Sequence, residues 1–127
     1  MTWLRICSVL AILMVAGCAS TETLREAQGR GQKKIYGVSY ERAWNLIPYA
    51  ISDTGGKVKD RNFQNGQIIA EYGVTWTSLG ERVALFVERK GAQEVEIEVV
   101  SGEGYVNFSA TNRSAQIFSS LDRQLRP

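Results

Sequence analysis

The sequence predicts an α+β fold: an antiparallel sheet of about five strands with two helices on one face, in the order β-α-β-β-β-β-α. Three observations predict it. Apolar and polar residues alternate through most of the chain after Lys57, as half-buried strands do. Two stretches, Ala43 to Ile51 and Ile117 to Leu125, instead repeat their apolar residues at helical spacing. Asn65-Gly66 and Arg89-Lys90-Gly91 fall between alternating runs, where hairpin turns belong.

Organised structure is expected from about Lys33. Ile35-Tyr36-Gly37-Val38 is the candidate first strand, weakened by Gly37. Ser39 suits the N-cap of a helix, because its hydroxyl accepts from an orphan backbone N–H. Glu41 sits favourably in the first turn. Ala43, Trp44, Ile47 and Ile51 form one apolar stripe. Gly55-Gly56 ends the helix, where a left-handed cap favours glycine. Pro48 removes one backbone bond inside it, and a bend around a curved sheet is expected there.

Lys57 to Arg61 is a short strand, followed by Asn65-Gly66 as a two-residue turn. Ile68, Ala70, Tyr72 and Val74 then alternate with Gln67, Ile69, Glu71 and Gly73. Glu81 to Glu88 and Ala92 to Val100 form a hairpin through a three-residue loop with Gly91 at the left-handed position. That register sets Val83 opposite Ile97 and Leu85 opposite Val95, with Arg82 opposite Glu98. A one-residue slip would set apolar residues against acids. Glu94, Glu96 and Glu98 alternate with Val95, Ile97 and Val99, so they read as the solvated face of a strand and not as a metal-binding or catalytic cluster. Tyr105 to Ala110 is a candidate extra strand. Asn112 suits the cap of a final helix with Ile117, Phe118, Leu121 and Leu125 as its buried stripe.

This element order, from Ile35 to Leu125, resembles BamC-like and TATA-binding-protein-like helix-grip domains. The likeness is one of layout, and no functional residue carries over from it.

The N-terminus has the three-part layout of a secretory signal. Arg5 supplies a positive charge, Ile6 to Ala16 is uncharged and mostly apolar, and small residues precede Cys18. The apolar run is shorter than the roughly 20 residues a membrane span needs. Val15-Ala16-Gly17-Cys18 resembles the lipobox of bacterial lipoproteins, with Val15 where Leu is commonest. The resemblance implies cleavage after Gly17, then a diacylglycerol and an N-acyl chain on Cys18. Ala19 and Ser20 follow, with no Asp at 19, a pattern resembling periplasm-facing outer-membrane lipoproteins. In a Gram-positive cell the same signal implies the outer face of the cell membrane. Residues 1–17 are therefore expected as signal peptide, 18–32 as lipidated cysteine and flexible tether, and 33–127 as the domain.

Composition excludes several kinds of chemistry. The chain has no His, and its two cysteines are Cys7, in the leader, and Cys18. Ser-His-Asp and Cys-His nucleophilic systems are thereby excluded, and a zinc site is disfavoured. Loss of Arg5 with the leader takes the net charge from +2 to +1, which gives no footprint for nucleic acid. Gly102-x-Gly104 lacks the context of a phosphate loop and reads as a turn. Asp60, Glu71 and Glu81 carry nothing that marks any two as a catalytic pair. No catalytic residue, metal or cofactor is expected beyond the lipid on Cys18.

What remains is aromatic. Tyr72, Trp76, Tyr105 and Phe108 fall in the second half of the sheet or its connections and are the candidate binding residues. Trp76 stands at a hairpin tip, where it would anchor a partner; its parity with Tyr72 and Val74 would equally turn it inward as a lid on the core. The expected role is non-catalytic docking to an envelope protein, as an assembly or accessory module held at the membrane by its lipid. The alternative is a carrier for a small apolar ligand, with Trp44, Ile47 and Phe118 lining a pocket between helices and sheet.

Overall fold

The structure, a computed structural model, describes residues 28–73, 80–101 and 108–126. Seven elements follow the predicted order: β1 (Gln32–Tyr36), α1 (Tyr40–Asp53), β2 (Gly56–Asn62), β3 (Gln67–Tyr72), β4 (Glu81–Gly91), β5 (Glu94–Ser101) and α2 (Phe108–Gln124). The strands form one antiparallel sheet in the spatial order β1-β5-β4-β3-β2. Among the described residues, no helix is long and apolar enough to cross a membrane.

The ends of α1 are those its sequence predicts. Ser39 Oγ accepts from the Arg42 amide at 3.2 Å, and Gly55 takes the left-handed φ of +88° just past the helix. Between them, Ala43, Trp44, Ile47 and Ile51 are buried. Helix α2 begins at Phe108, so residues 108–110 are helical where a strand is expected, and Asn112 lies inside the helix instead of capping it. Nothing from Phe108 to Gln116 breaks a helix: there is no Gly or Pro. The remainder of that candidate strand lies outside the described residues.

Two turns differ from the expected geometry. Asn62 pairs with Gln67, which leaves four residues, Phe63 to Gly66, in the β2–β3 connection. Asn62 Oδ1 accepts from the Asn65 amide at 3.0 Å, and Val87 donates to the Gly66 carbonyl at 2.7 Å, so the wider turn is fixed at both ends. In the β4–β5 hairpin, Val83 stands opposite Ser101, Leu85 opposite Val99 and Val87 opposite Ile97. Phe86, not Arg82, faces Glu98. Strand β4 runs on to Gly91, with a register shift between Arg89 and Gly91. The difference from the expected pairing is four residues. An even slip returns every side chain to its own face, so the alternation of apolar residues cannot distinguish the two registers.

Both helices pack on one face of the sheet. Ile47, Ile51, Ile68, Leu85, Ile97, Ile117 and Leu121 are fully buried there. Each such side chain contributes roughly 1.5–3 kcal/mol of transfer free energy. Asp53 joins the helices by accepting from Ser120 Oγ and Arg123 Nη2, both at 2.8 Å. A second, smaller buried cluster of Ile69, Ala84, Phe86 and Val100 lies on the other face.

That second face holds one correction. Glu98 is only 4% exposed, unlike the solvated row expected for it. Its carboxylate accepts from the Gly29 and Gly31 amides, each at 2.9 Å. Gln28 to Gly31, expected within the tether, is thus held against β5.

Candidate functional site

Of the residues singled out from sequence, Cys18, Trp76 and Tyr105 lie outside the described residues. Phe108 opens α2, and only its backbone is described. Tyr72 can be placed, and its ring is not on the surface. It is 3% exposed in the main core, its hydroxyl meets Thr54 Oγ1 at 2.7 Å, and the Arg113 guanidinium covers its ring at 4.1 Å. Burial, chiefly, raises its phenol above the ordinary value, against the bond to Thr54 and the charge of Arg113. Arg113 is held in turn by Glu81 at 3.1 Å. Tyr72 therefore seals one end of the core.

Trp44, Ile47 and Phe118 pack within or against the main core cluster. Two open surface hollows, of about 520 and 510 Å³, occur among the described residues, and none of the three lines either.

The larger hollow is the more informative. It is lined by Tyr40, Val87, Glu88, Arg89 and the whole β2–β3 turn, Phe63 to Gly66. Helix α1 brings Tyr40 and Trp44 one turn apart, with parallel rings at 6.0 Å. Phe63 stands edge-on to both, at 5.1 Å from Tyr40 and 5.5 Å from Trp44. Such offset and edge-to-face pairs are the favoured aromatic geometries. The Tyr40 hydroxyl donates to the Phe63 carbonyl, which fixes the turn to the helix. Phe63 nevertheless remains 45% exposed.

Two guanidinium groups frame the aromatics. Arg89 lies over the Tyr40 ring at 4.1 Å and donates to Glu41 Oε1 at 3.0 Å. Arg61 lies 5.1 Å from the Trp44 ring centre. Burial raises the Tyr40 phenol, and the charge of Arg89 opposes that rise. The hollow thus offers the Tyr40 and Phe63 rings beside one cation, Arg89, and one acid, Glu88, while Arg61 lies outside it on the Trp44 side of the cluster. Sequence reasoning passes over Phe63, although a large aromatic beside Asn65-Gly66 in a polar turn is a signal of exposure.

The second hollow lies between the end of α1 and the face of α2, with Asp53, Thr54, Gln116 and Arg123 among its residues. Hydrogen bonds from Ser120 and Arg123 hold the Asp53 carboxyl below its ordinary value, so it stays ionised as an acceptor. Among the described residues, no group of three or more Cys, Asp and Glu side chains is placed to hold a metal ion.

No protein-family model and no curated protein matches this chain.

Proposed function

We propose that this chain is a lipid-anchored cell-envelope protein whose α+β domain acts as a non-catalytic docking or assembly module at the membrane. The observation that carries the docking half is Phe63, 45% exposed yet held edge-on by the Tyr40 and Trp44 rings, which themselves carry Arg89 and Arg61. Rigid aromatic anchors beside Arg are the residues that carry binding energy at protein interfaces, because they lose little entropy on being covered. The lipobox-like Val15-Ala16-Gly17-Cys18 supports the anchoring half. In a Gram-negative cell the anchored face is the periplasmic side of the outer membrane; in a Gram-positive cell it is the outer side of the cell membrane. A lipid anchor suits docking, since it raises the local concentration of the domain for partners at the same membrane.

The test uses the full chain, expressed with its own leader in a bacterial host. A photo-crosslinking amino acid at position 63, and as a control at the exposed Tyr49, is irradiated in intact cells. Docking predicts a discrete adduct from position 63 only, weakened in the Cys18→Ser chain. No adduct at position 63, or equal adducts at both positions, would overturn it. Intact mass decides lipidation: the expected product has lost residues 1–17 and gained acyl mass on Cys18.

A further inference from the structure

Glu98 is a buried carboxylate with an unusual set of partners. Its oxygens accept from the Gly29 amide at 2.9 Å to each, and Oε2 also accepts from the Gly31 amide at 2.9 Å. Among the described residues it has no ion pair. Gly29 has a φ of +95°, a left-handed conformation that folds successive amides toward one concavity. Gly31 lies so close to β5 that an added Cβ would strike the Val99 carbonyl and reach within 2.7 Å of the Val100 side chain. Two glycines are thus needed, one for its backbone angle and one for close approach. The result is a backbone nest closed on a carboxylate 67 residues away in sequence.

The position of this clamp matters. Glu98 faces Phe86, and Phe86 faces Gln67, so all three form one row on the sheet face turned away from the helices. The Tyr40–Trp44–Phe63 cluster is built from α1 and the adjoining turn, on the helix side. Gln28, where the described chain begins, is ten residues from Cys18, so even a fully extended chain would span at most roughly 35 Å.

We propose that Glu98 fastens the root of the membrane anchor to the helix-free face of the sheet, so that the domain hangs from that face and presents the Phe63 cleft away from the bilayer. The clamp itself rests on the described geometry; its membrane meaning rests on lipidation of Cys18. Without the clamp, the domain would turn freely about Gln32. With it, the pivot moves to Gln28 on the helix-free face, which favours that face toward the anchor and the opposite one toward a partner.

Hydrogen-exchange mass spectrometry on the lipidated full chain, in nanodiscs of phosphatidylethanolamine and phosphatidylglycerol, tests both halves. The wild-type peptide spanning residues 28–31 is expected to be protected. In Glu98→Ala it should exchange about tenfold faster, the loss of about one net hydrogen bond. Glu98→Gln, which keeps one acceptor oxygen, should fall between. Gly29→Ala approaches the clamp from outside the sheet: its Cβ meets nothing within 4 Å, but its φ becomes strained. It should speed exchange in the same peptide while residues 94–101 stay protected, and it decides the matter if Glu98→Ala loosens the sheet. Unprotected wild-type amides, or equal rates in wild type and Gly29→Ala, would overturn the clamp. For orientation, a fluorophore on Phe63→Cys should be untouched by a lipid-borne quencher, and quenching would overturn that half. Absence of acyl mass on Cys18 in the same spectra would sink the anchoring reading while leaving the clamp to be judged by exchange alone.

Discussion

Arg61 donates from Nη2 to the Trp44 carbonyl at 3.0 Å, and this is the carbonyl that Pro48 leaves without a helical partner. In an unbroken α-helix the amide of residue 48 would bond to it, and proline has none. An edge-strand side chain thus replaces a missing helix bond and also lies over the Trp44 ring. Arg61→Ala is expected to cost about 1 kcal/mol in urea unfolding. In a Pro48→Ala background the same change should cost less, because alanine restores the missing N–H. Equal costs in both backgrounds would show that the bond does not compensate for Pro48.

Phe63 and Ile47 should separate surface from core. Ile47 is fully buried beneath α1, so Ile47→Ala is expected to cost about 2–5 kcal/mol, from lost transfer energy and the cavity left behind. Phe63→Ala should cost no more than about 1.5 kcal/mol, since the residue is already 45% exposed and what it loses is chiefly two aromatic contacts. Paired unfolding curves would check this. A Phe63→Ala loss as large as that of Ile47→Ala would make Phe63 structural and remove it as a docking anchor.

Gly66 is the hinge of the wider turn. Its φ is +64°, and a Cβ there would collide with the Val87 carbonyl. Gly66→Ala is expected to destabilise by at least about 1 kcal/mol, with loss of protection at the Val87 amide, which donates to the Gly66 carbonyl. Unchanged exchange at Val87 would show that the turn relaxes without disturbing β4.

Much of this fold is legible in sequence because period alone reports it. Alternation gives β3, β4 and β5, and the stripes at Ala43–Ile51 and Ile117–Leu125 give the helices. Ser39 and Gly55 mark the ends of α1. Period is silent wherever an even shift leaves it unchanged, which is why the β4–β5 register moves by four residues with every face intact. It is also silent on partners distant in sequence. Glu98 alternates like Glu94 and Glu96, and only the approach of Gly29 and Gly31 separates it from them. The aromatic cleft is hidden for the same reason: Tyr40, Phe63 and Arg89 belong to three elements, and topology alone brings them together.

Acid should weaken the domain through two aspartates that tie α2 down. Asp53 is held below its ordinary value by bonds from Ser120 and Arg123. For Asp122, burial works to raise the carboxyl, but the bonds from Lys34 and Tyr36 outweigh it and leave it lowered. Each group's folded pKa thus lies below its unfolded one, near 3.9 for a free Asp. Around that pH the unfolded chain binds more protons than the folded one, so stability rises with pH there. The contribution is complete at neutral pH and is lost as pH falls below about 5 toward the depressed folded values. Asp53→Asn should therefore be less stable than wild type at pH 7 yet lose less between pH 5 and pH 2, so that the two urea midpoints converge in acid. Tyr36 adds an opposite limb, since burial and its bond to Asp122 raise its phenol. Its share of stability is present below about pH 10, the free phenol value, and is lost as pH climbs beyond it. Tyr36→Phe should flatten that alkaline limb alone. Parallel acid limbs in wild type and Asp53→Asn would mean that Asp53 gains nothing on folding, and the link between α1 and α2 would then rest on packing.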